Sequence, residues 1–333
     1  MARGVLRLLL LAFVVAGLAP GTFLRTPTGL RSDPAVVSVS PAAVQGGDTA
    51  GALTLSGAWE LRAAQGWFGG LSALTAGEGA ALIAGSDRGF LLDLDLTGGS
   101  PRAVSGSYRF VGESRGRDET VDLESLARDP ARGTLWAGFE ADNLVMRLSA
   151  DGTRRLHAPP EMAGWGLNSG AETFERLADG RFLAIAEGAE DGSETAHAAL
   201  LYPGDPLDGG TPVAFSFVGP PGYDPVDATQ LPDGRMLILL RRVRLAIPAR
   251  FDTAIAVADP RAIRPQAAWR ARVIQRLAGG ILAENFEGIA YLRSAGDPAR
   301  GSLWLIADDN FSTFQRSLLV RFDWPPGGEA PAP

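Results

Sequence analysis

Short apolar runs of four to eight residues alternate with Gly-, Asp- and Pro-rich punctuation through most of this chain, a pattern that predicts β-strands joined by tight turns. The pattern repeats. Five units begin near residues 69, 122, 170, 226 and 284, and each opens with a strand, a Gly-containing turn and a second apolar strand. A third strand follows in every unit (90–94, 144–148, 198–202, 253–257 and 317–322), and a fourth in most (107–111, 213–217 and 272–277). Aligned on the first strand, Ser72, Glu124, Glu172, Asp227 and Glu287 take equivalent places, 48 to 60 residues apart. Four antiparallel strands per unit at this spacing predict an all-β fold, a β-propeller.

Unit five ends after its third strand, whereas residues 53–61 form a strand that precedes unit one. That strand is expected to complete the last blade and close the ring, which hides the open sheet edges. The count is therefore five blades. Six remain an alternative if residues 34–44 and 242–280 conceal another.

Outside the repeats, residues 1–19 carry Arg3 and Arg7 followed by an apolar run of twelve residues, which reads as a signal peptide or an N-terminal anchor. Residues 20–50 read mostly as linker, 51–324 as the propeller domain and 325–333 as a disordered tail. A periplasmic or secreted location follows, with membrane contact only through an uncleaved N-terminal segment.

Composition narrows the chemistry. The chain has 333 residues, no Cys and two His, and every basic side chain is Arg. Disulfides, thiolate chemistry, Schiff-base lysines, the phosphate-loop lysine and three-His zinc sites are thereby excluded. The net charge of −7 argues against a nucleic-acid partner. What remains is carboxylates, Arg, Asn and hydroxyls.

In antiparallel hairpins the start of the first strand lies beside the end of the second. One rim therefore receives Ser72, Asp122/Glu124, Asn168/Glu172, Asp224/Asp227 and Asn285/Glu287 from strand entrances. From strand exits it receives Asp87/Arg88, Glu140, Glu187, Arg241 and Asp308/Asp309/Asn310. So many carboxylates at close range need a cation or interleaved Arg. Hard oxygen donors favour Ca²⁺ or Mg²⁺, and the expected setting favours Ca²⁺. The expected metal ligands are Glu124, Glu172, Asp227, Glu287 and Asp308, and the expected catalytic set is Glu287, Asp308, Arg241 and Arg88. Individually, Asp87 and Asp309 also suit turn capping, Glu140 and Glu187 suit pairing with Arg, and Trp136 and Trp304 suit packing between blades. His157 and His197 are expected to be bystanders.

The segments DLESLA (122–127), GFEADN (138–143), NSGAE (168–172), LPDGRMLILLRR (231–242), NFEGIA (285–290) and ADDNF (307–311) resemble the "esterase-like activity of phytase" family, with FGGLSAL and SDRG fitting its opening. The resemblance implies an exported propeller that cleaves phosphoric or other esters with a divalent metal and takes a small anionic ester. Two readings stand beside it: a glycoside hydrolase with paired carboxylates, and a non-catalytic envelope propeller that binds a structural ion or a partner.

Overall fold

The computed structural model describes residues 35–44, 48–51, 53–112, 114–115, 118–119, 122–140, 143–166, 170–246, 249–294 and 297–324. The proposed leader, the C-terminal tail and Asn168 lie outside them. Among the described residues helix is confined to four short 3₁₀ turns, and none is long and apolar enough to cross a membrane.

Among the described residues the strands form five sheets around an axis and a separate two-stranded one, Ser114–Arg115 with Asp118–Glu119. Blade one comprises Ala73–Ala76, Ala81–Ser86 and Phe90–Asp95, with Arg102–Ala103 and Arg109–Phe110 both pairing on the last. Blade two runs Leu123–Asp129, Thr134–Phe139, Leu144–Leu148 and Arg154–His157. Blade three runs Thr173–Arg176, Phe182–Ala189, Ala196–Tyr202 and Val213–Val218. Blade four runs Asp224–Gln230, Met236–Arg244, Arg250–Ala258 and Arg272–Ala278. Blade five runs Asn285–Ser294, Asp297–Asp308 and Leu318–Trp324 and is completed by Thr54–Arg62, which pairs antiparallel with Leu318–Trp324. The expected N-terminal closure is present.

Packing settles the blade count. The described core divides into five apolar clusters, each shared by two successive blades. They join blades one and two, two and three, three and four, four and five, and five and one. Trp136, edge-on to Phe182 at 4.9 Å, belongs to the second of these joints, and Trp304, stacked on Trp59 at 5.5 Å, to the last. Burial of such aromatics contributes on the order of 1.5–3 kcal/mol each.

The segments held in reserve for a sixth blade serve existing ones. Ala268–Arg270 adds a parallel fifth strand to blade three. Within the stretch read as mostly linker, Ser38–Pro41 pairs with Thr54–Arg62, and Asp48–Gly51 pairs with Arg272–Ala278. Strands of four residues, the first with mostly exposed side chains, show little alternation, but their backbone groups cover two outer sheet edges.

Local chemistry explains why the hairpins form where they do. Asp179-Gly180 and Asp233-Gly234 build the same turn. In each, the Asp side chain accepts the N–H two residues on, at 3.1 and 2.9 Å, and the Gly takes φ of 91° and 89°. Both turns lie at the end of the axis away from the acidic rim.

Candidate functional site

Backbone irregularity at the strand entrances aims the site. In blade two, Leu123 faces Phe139 and Ser125 faces Gly138, so Glu124 is the extra residue of a β-bulge. In blade five, Phe286 faces Ala307 and Gly288 faces Ile306, so Glu287 is the extra residue. Bulges re-aim a side chain out of the strict alternation of a strand, and here they turn both carboxylates into the mouth.

In blade four the extra residue is Val226, between Pro225 and Asp227, and Val226 is buried in the apolar core. The alignment that equated Asp227 with Glu124 and Glu287 is thus shifted by one residue, enough to send a side chain the other way. Asp227 accepts hydrogen bonds from the backbone N–H of Ala228 at 2.8 Å and of Ile289 at 2.7 Å, tying blade four to blade five. Ser72 and Ser125 do the same work: their hydroxyls donate to the carbonyls of Leu123 and Ala171. Asp227 and Ser72 are therefore placed as brackets between blades, apart from the ring of carboxylates.

Strand exits supply Asp87, Glu140, Glu187, Arg241 and Asp308, one per blade. Asp224 pairs in register with Arg241. Arg241 sits among the carboxylates with its side chain 14% exposed. Its Nη1 donates to Glu287 Oε1 and to Asn285 Oδ1, the latter at 2.9 Å, and its Nη2 donates to Glu187 Oε1. Asn285 Nδ2 donates to the same Glu287 oxygen at 2.8 Å. Burial works against the charge of Arg241, but Glu287, Glu172 and Glu187 outweigh it and hold the guanidinium protonated. The sequence left it either to pair with carboxylates or to face an anionic substrate; its hydrogen bonds here run to carboxylates of blades three and five and to Asn285.

Adjoining Arg241 through Glu187, two carboxylate triads share one member. Asp122, Glu124 and Glu140 offer oxygens within 4.8 Å of one another, and so do Glu140, Glu172 and Glu187. Of the expected metal ligands, Glu124 and Glu172 fall in these groups. Glu287 is held by Arg241. Asp308, whose Oδ1 accepts from Asn310 N–H at 2.7 Å, feels the charges of Glu287, Asp87 and Asp309 and belongs to neither triad. Asp122, Glu140 and Glu187 complete the triads. All three lay on the expected rim, and the signal that singles them out is spatial, absent from any one hairpin.

Three observations test whether this donor set fits a divalent cation. All donors are carboxylate oxygens, the chemistry of Ca²⁺ or Mg²⁺. Glu140 Oε1 and, beside it, Asn143 Oδ1 are buried without a hydrogen-bond partner among the described residues. Asp122 is held at φ 76°, a strained value for a residue with a side chain, by its N–H to the Asp87 carbonyl and its carbonyl to Glu140 N–H at 2.9 Å. The residues present fit the ion.

The charge state agrees. Burial, then repulsion from Glu287 and Glu172, pushes Glu124 well above the ordinary carboxylate range. Burial and Glu187 raise Glu172 in the same way, against the pull of Arg241. Glu140 is pushed up to about 7 by burial, then by Asp122 and Glu187. Asp87 is pushed up to about 8 by burial, then by Glu287. Asp308 is raised by burial, then by Glu287 and Asp87.

Around this centre lies a supporting frame. Gly170 lets blade three close on blade two, since a Cβ there would meet Glu140 Cα and Cγ at 2.9 Å. Asp309 accepts from Gly70 N–H at 3.0 Å and from the Ser317 hydroxyl at 2.8 Å, the turn-binding role open to it from sequence. Arg88 lies over the Phe311 ring at 3.5 Å on the rim. His197 is fully buried, with Nδ1 against the Glu187 carbonyl at 2.7 Å where the strand bulges between Ile185 and Ala189, so it supports a triad member and is more than a bystander.

A five-bladed propeller with a carboxylate-ringed mouth is the class of protein defined by this architecture. More particularly, residues 66–311 match the family described as esterase-like activity of phytase, and the chain belongs to that family. No curated protein matches the chain. Several solved structures resemble it. A gluconolactonase from Xanthomonas campestris is 13% identical, with 89% of this chain and 100% of that one covered and a TM-score of 0.41. Virginiamycin B lyase from Staphylococcus aureus is 11% identical, with 87% and 100% covered and a TM-score of 0.39. Hydrazine synthase from Kuenenia stuttgartiensis is 14% identical with a TM-score of 0.35; 72% of this chain is covered, and the match spans 56% of that chain's length. Likenesses at this level say nothing about chemistry.

Proposed function

We propose that the mouth binds a divalent cation, Ca²⁺ by preference, through Glu140 together with Asp122, Glu124, Glu172 and Glu187, and that it hydrolyses a small anionic ester, most readily a phosphoric ester, outside the cytoplasm. The observation that carries the reading is the pair of triads meeting at Glu140, whose Oε1 has no hydrogen-bond partner among the described residues. An ion held there would polarise an ester oxygen and lower the pKa of a water.

The chain's own residues divide the remaining work. Arg241 gives three of its five N–H donors to Glu187, Glu287 and Asn285, so it fixes the carboxylates it touches and leaves little positive charge for a substrate. An anion entering this mouth would meet net repulsion, which is why the cation is needed for binding as well as for chemistry. Arg88, spread on Phe311 at the rim, is placed to meet the anion on entry. Asp87, pushed up to about 8, carries a proton at neutral pH and can return it to a leaving oxygen. Location outside the cytoplasm rests on the basic start and apolar run of residues 1–19.

The test is hydrolysis of 4-nitrophenyl phosphate by metal-stripped protein titrated with Ca²⁺. Turnover should appear with the metal and disappear in Glu140→Gln. A melting temperature raised by Ca²⁺ without turnover on any phosphoric, carboxylic or glycosidic substrate would remove the hydrolase and leave a structural ion site.

A further inference from the structure

Glu187 is held at the mouth in a different way from Arg241 and Asp308. Those two are ladder members: Arg241 pairs with Asp224 and Thr253, and Asp308 with Asn285. In blade three the ladder breaks. Ile185 faces Ala199 and the next pair is Ala189 with His197, so residues 186–188 stand against residue 198 alone. A bulge of this size takes backbone groups out of the ladder and re-aims the side chains it carries. Both backbone groups of Glu187 are held from elsewhere. Its N–H donates to the Gly170 carbonyl at 3.3 Å, and its carbonyl accepts from His197 Nδ1 at 2.7 Å.

The imidazole is fully buried at the joint between blades three and four, in register with Phe217 and 6.2 Å from its ring. A carbonyl oxygen only accepts, so Nδ1 carries the proton, and Nε2 is then an acceptor with no partner among the described residues. An unsatisfied buried acceptor costs more than one ordinary hydrogen bond returns. An apolar side chain would fill this place at lower cost, and what the imidazole adds is the single N–H against Glu187. Glu187 in turn brings one carboxylate to two places, the triad with Glu140 and Glu172 and the Arg241 guanidinium.

We propose that His197 is the positioning residue for Glu187: its Nδ1–H holds the bulged strand in the shape that carries the Glu187 carboxylate both into the triad and onto Arg241. Its effect on an ion rests on the reading of the mouth as a cation site; its effect on the Arg241 pair does not. Partners that orient a ligating side chain typically govern metal affinity by about 10–100-fold.

The first measurement is urea unfolding of the full chain in EDTA, with Glu187→Gln made in the wild type and in His197→Asn, His197→Leu and His197→Gln. Asn places an N–H where Nδ1 lies, Gln places its amide at the Nε2 position, and Leu has no donor. The factor by which Glu187→Gln changes the unfolding constant should shift by about threefold or more in the Leu and Gln backgrounds. In the Asn background it should match the wild type. The Gln background carries the comparison if the Leu variant does not fold. The second measurement is calorimetric titration of Ca²⁺ into the stripped protein. His197→Leu and His197→Gln should weaken binding by about tenfold or more, whereas His197→Asn should bind as the wild type. Additive effects in every background, the same shift in Asn as in Leu and Gln, or Ca²⁺ bound with equal affinity by all four proteins would overturn the role. The expected shifts in EDTA with no Ca²⁺ bound by the wild type would uphold His197 as the residue that positions Glu187 and remove the cation site instead.

Discussion

Glu140→Gln tests the charge logic of the mouth with a sign opposite to that of an ordinary loss of function. In the unfolded chain a Glu titrates near 4.5, whereas in the fold Glu140 is pushed up to about 7. An acid with a raised folded pKa binds its proton more tightly in the native state, so its effect on stability is absent below about 4.5. It then costs progressively more as pH rises through 7. A carboxyl moved from 4.5 to about 7 corresponds to about 3 kcal/mol if fully realised. Glu140 is only partly buried, and solvent screening reduces the figure to about 1–2 kcal/mol.

Gln keeps the shape and removes the charge. In EDTA the variant should therefore melt above the wild type at pH 8.5, by roughly 2–6 °C for a domain of this size, and level with it at pH 4.5. With Ca²⁺ the order should reverse. The wild type gains about 2.7 kcal/mol at a hundred times the dissociation constant, and the variant, stripped of the ligand common to both triads, gains little. Thermal melts across pH 4.5–8.5, with EDTA and with Ca²⁺, give all four numbers. If Glu140→Gln melts below the wild type in EDTA at pH 8.5, Glu140 is held by partners that Gln cannot replace and the unfilled-site argument fails.

Arg241→Met should unfold or destabilise the protein by about 3–5 kcal/mol, because it leaves the buried Glu287 and the half-buried Glu187 without a counter-charge; urea denaturation measures it, and a loss under 1 kcal/mol would refute the pairing. Asp227→Asn places an amide N–H against one of the two backbone N–H groups the carboxylate accepts, costing about 1–3 kcal/mol, while the Ca²⁺-induced rise in melting temperature stays as in the wild type; a lost Ca²⁺ response would return Asp227 to the metal set. Gly288→Ala would bring a Cβ to 2.7 Å from Leu74 Cβ and Ile306 Cγ2 and should cost at least about 1–3 kcal/mol by the same denaturation assay.

The blade pattern could be read from the chain because each hairpin carries its own turn chemistry and each strand its own apolar run. Both are local, and so is the closing strand, an apolar segment without a partner in its own unit. The two short N-terminal strands could not be read, since Ser38–Pro41 and Asp48–Gly51 bury little and are defined by backbone pairing alone. The rim was legible as a set of positions, its internal order less so. The ADDN and NFEG elements look alike as acidic clusters, yet Asp309 serves a turn, Asp308 belongs to neither triad, and Glu287 is held by Arg241. A slip of one residue separates Asp227 from its supposed equivalents, and only the bulge register reveals it.

That slip has a chemical consequence. With Val226 at the bulge position, blade four aims no carboxylate from that place; its inner strand brings Asp224 at the entrance, in register with Arg241 from the strand exit. The Arg241 guanidinium divides the carboxylates unevenly, drawing Glu187 and Glu287 to itself while Glu140, with Asp122 and Glu124 on one side and Glu172 on the other, has no positive charge in hydrogen-bond contact among the described residues. A ring of five equivalent carboxylates would hold a cation anywhere around the axis. This one holds the uncompensated charge over blades two and three, against Gly170, which is where an ion would settle.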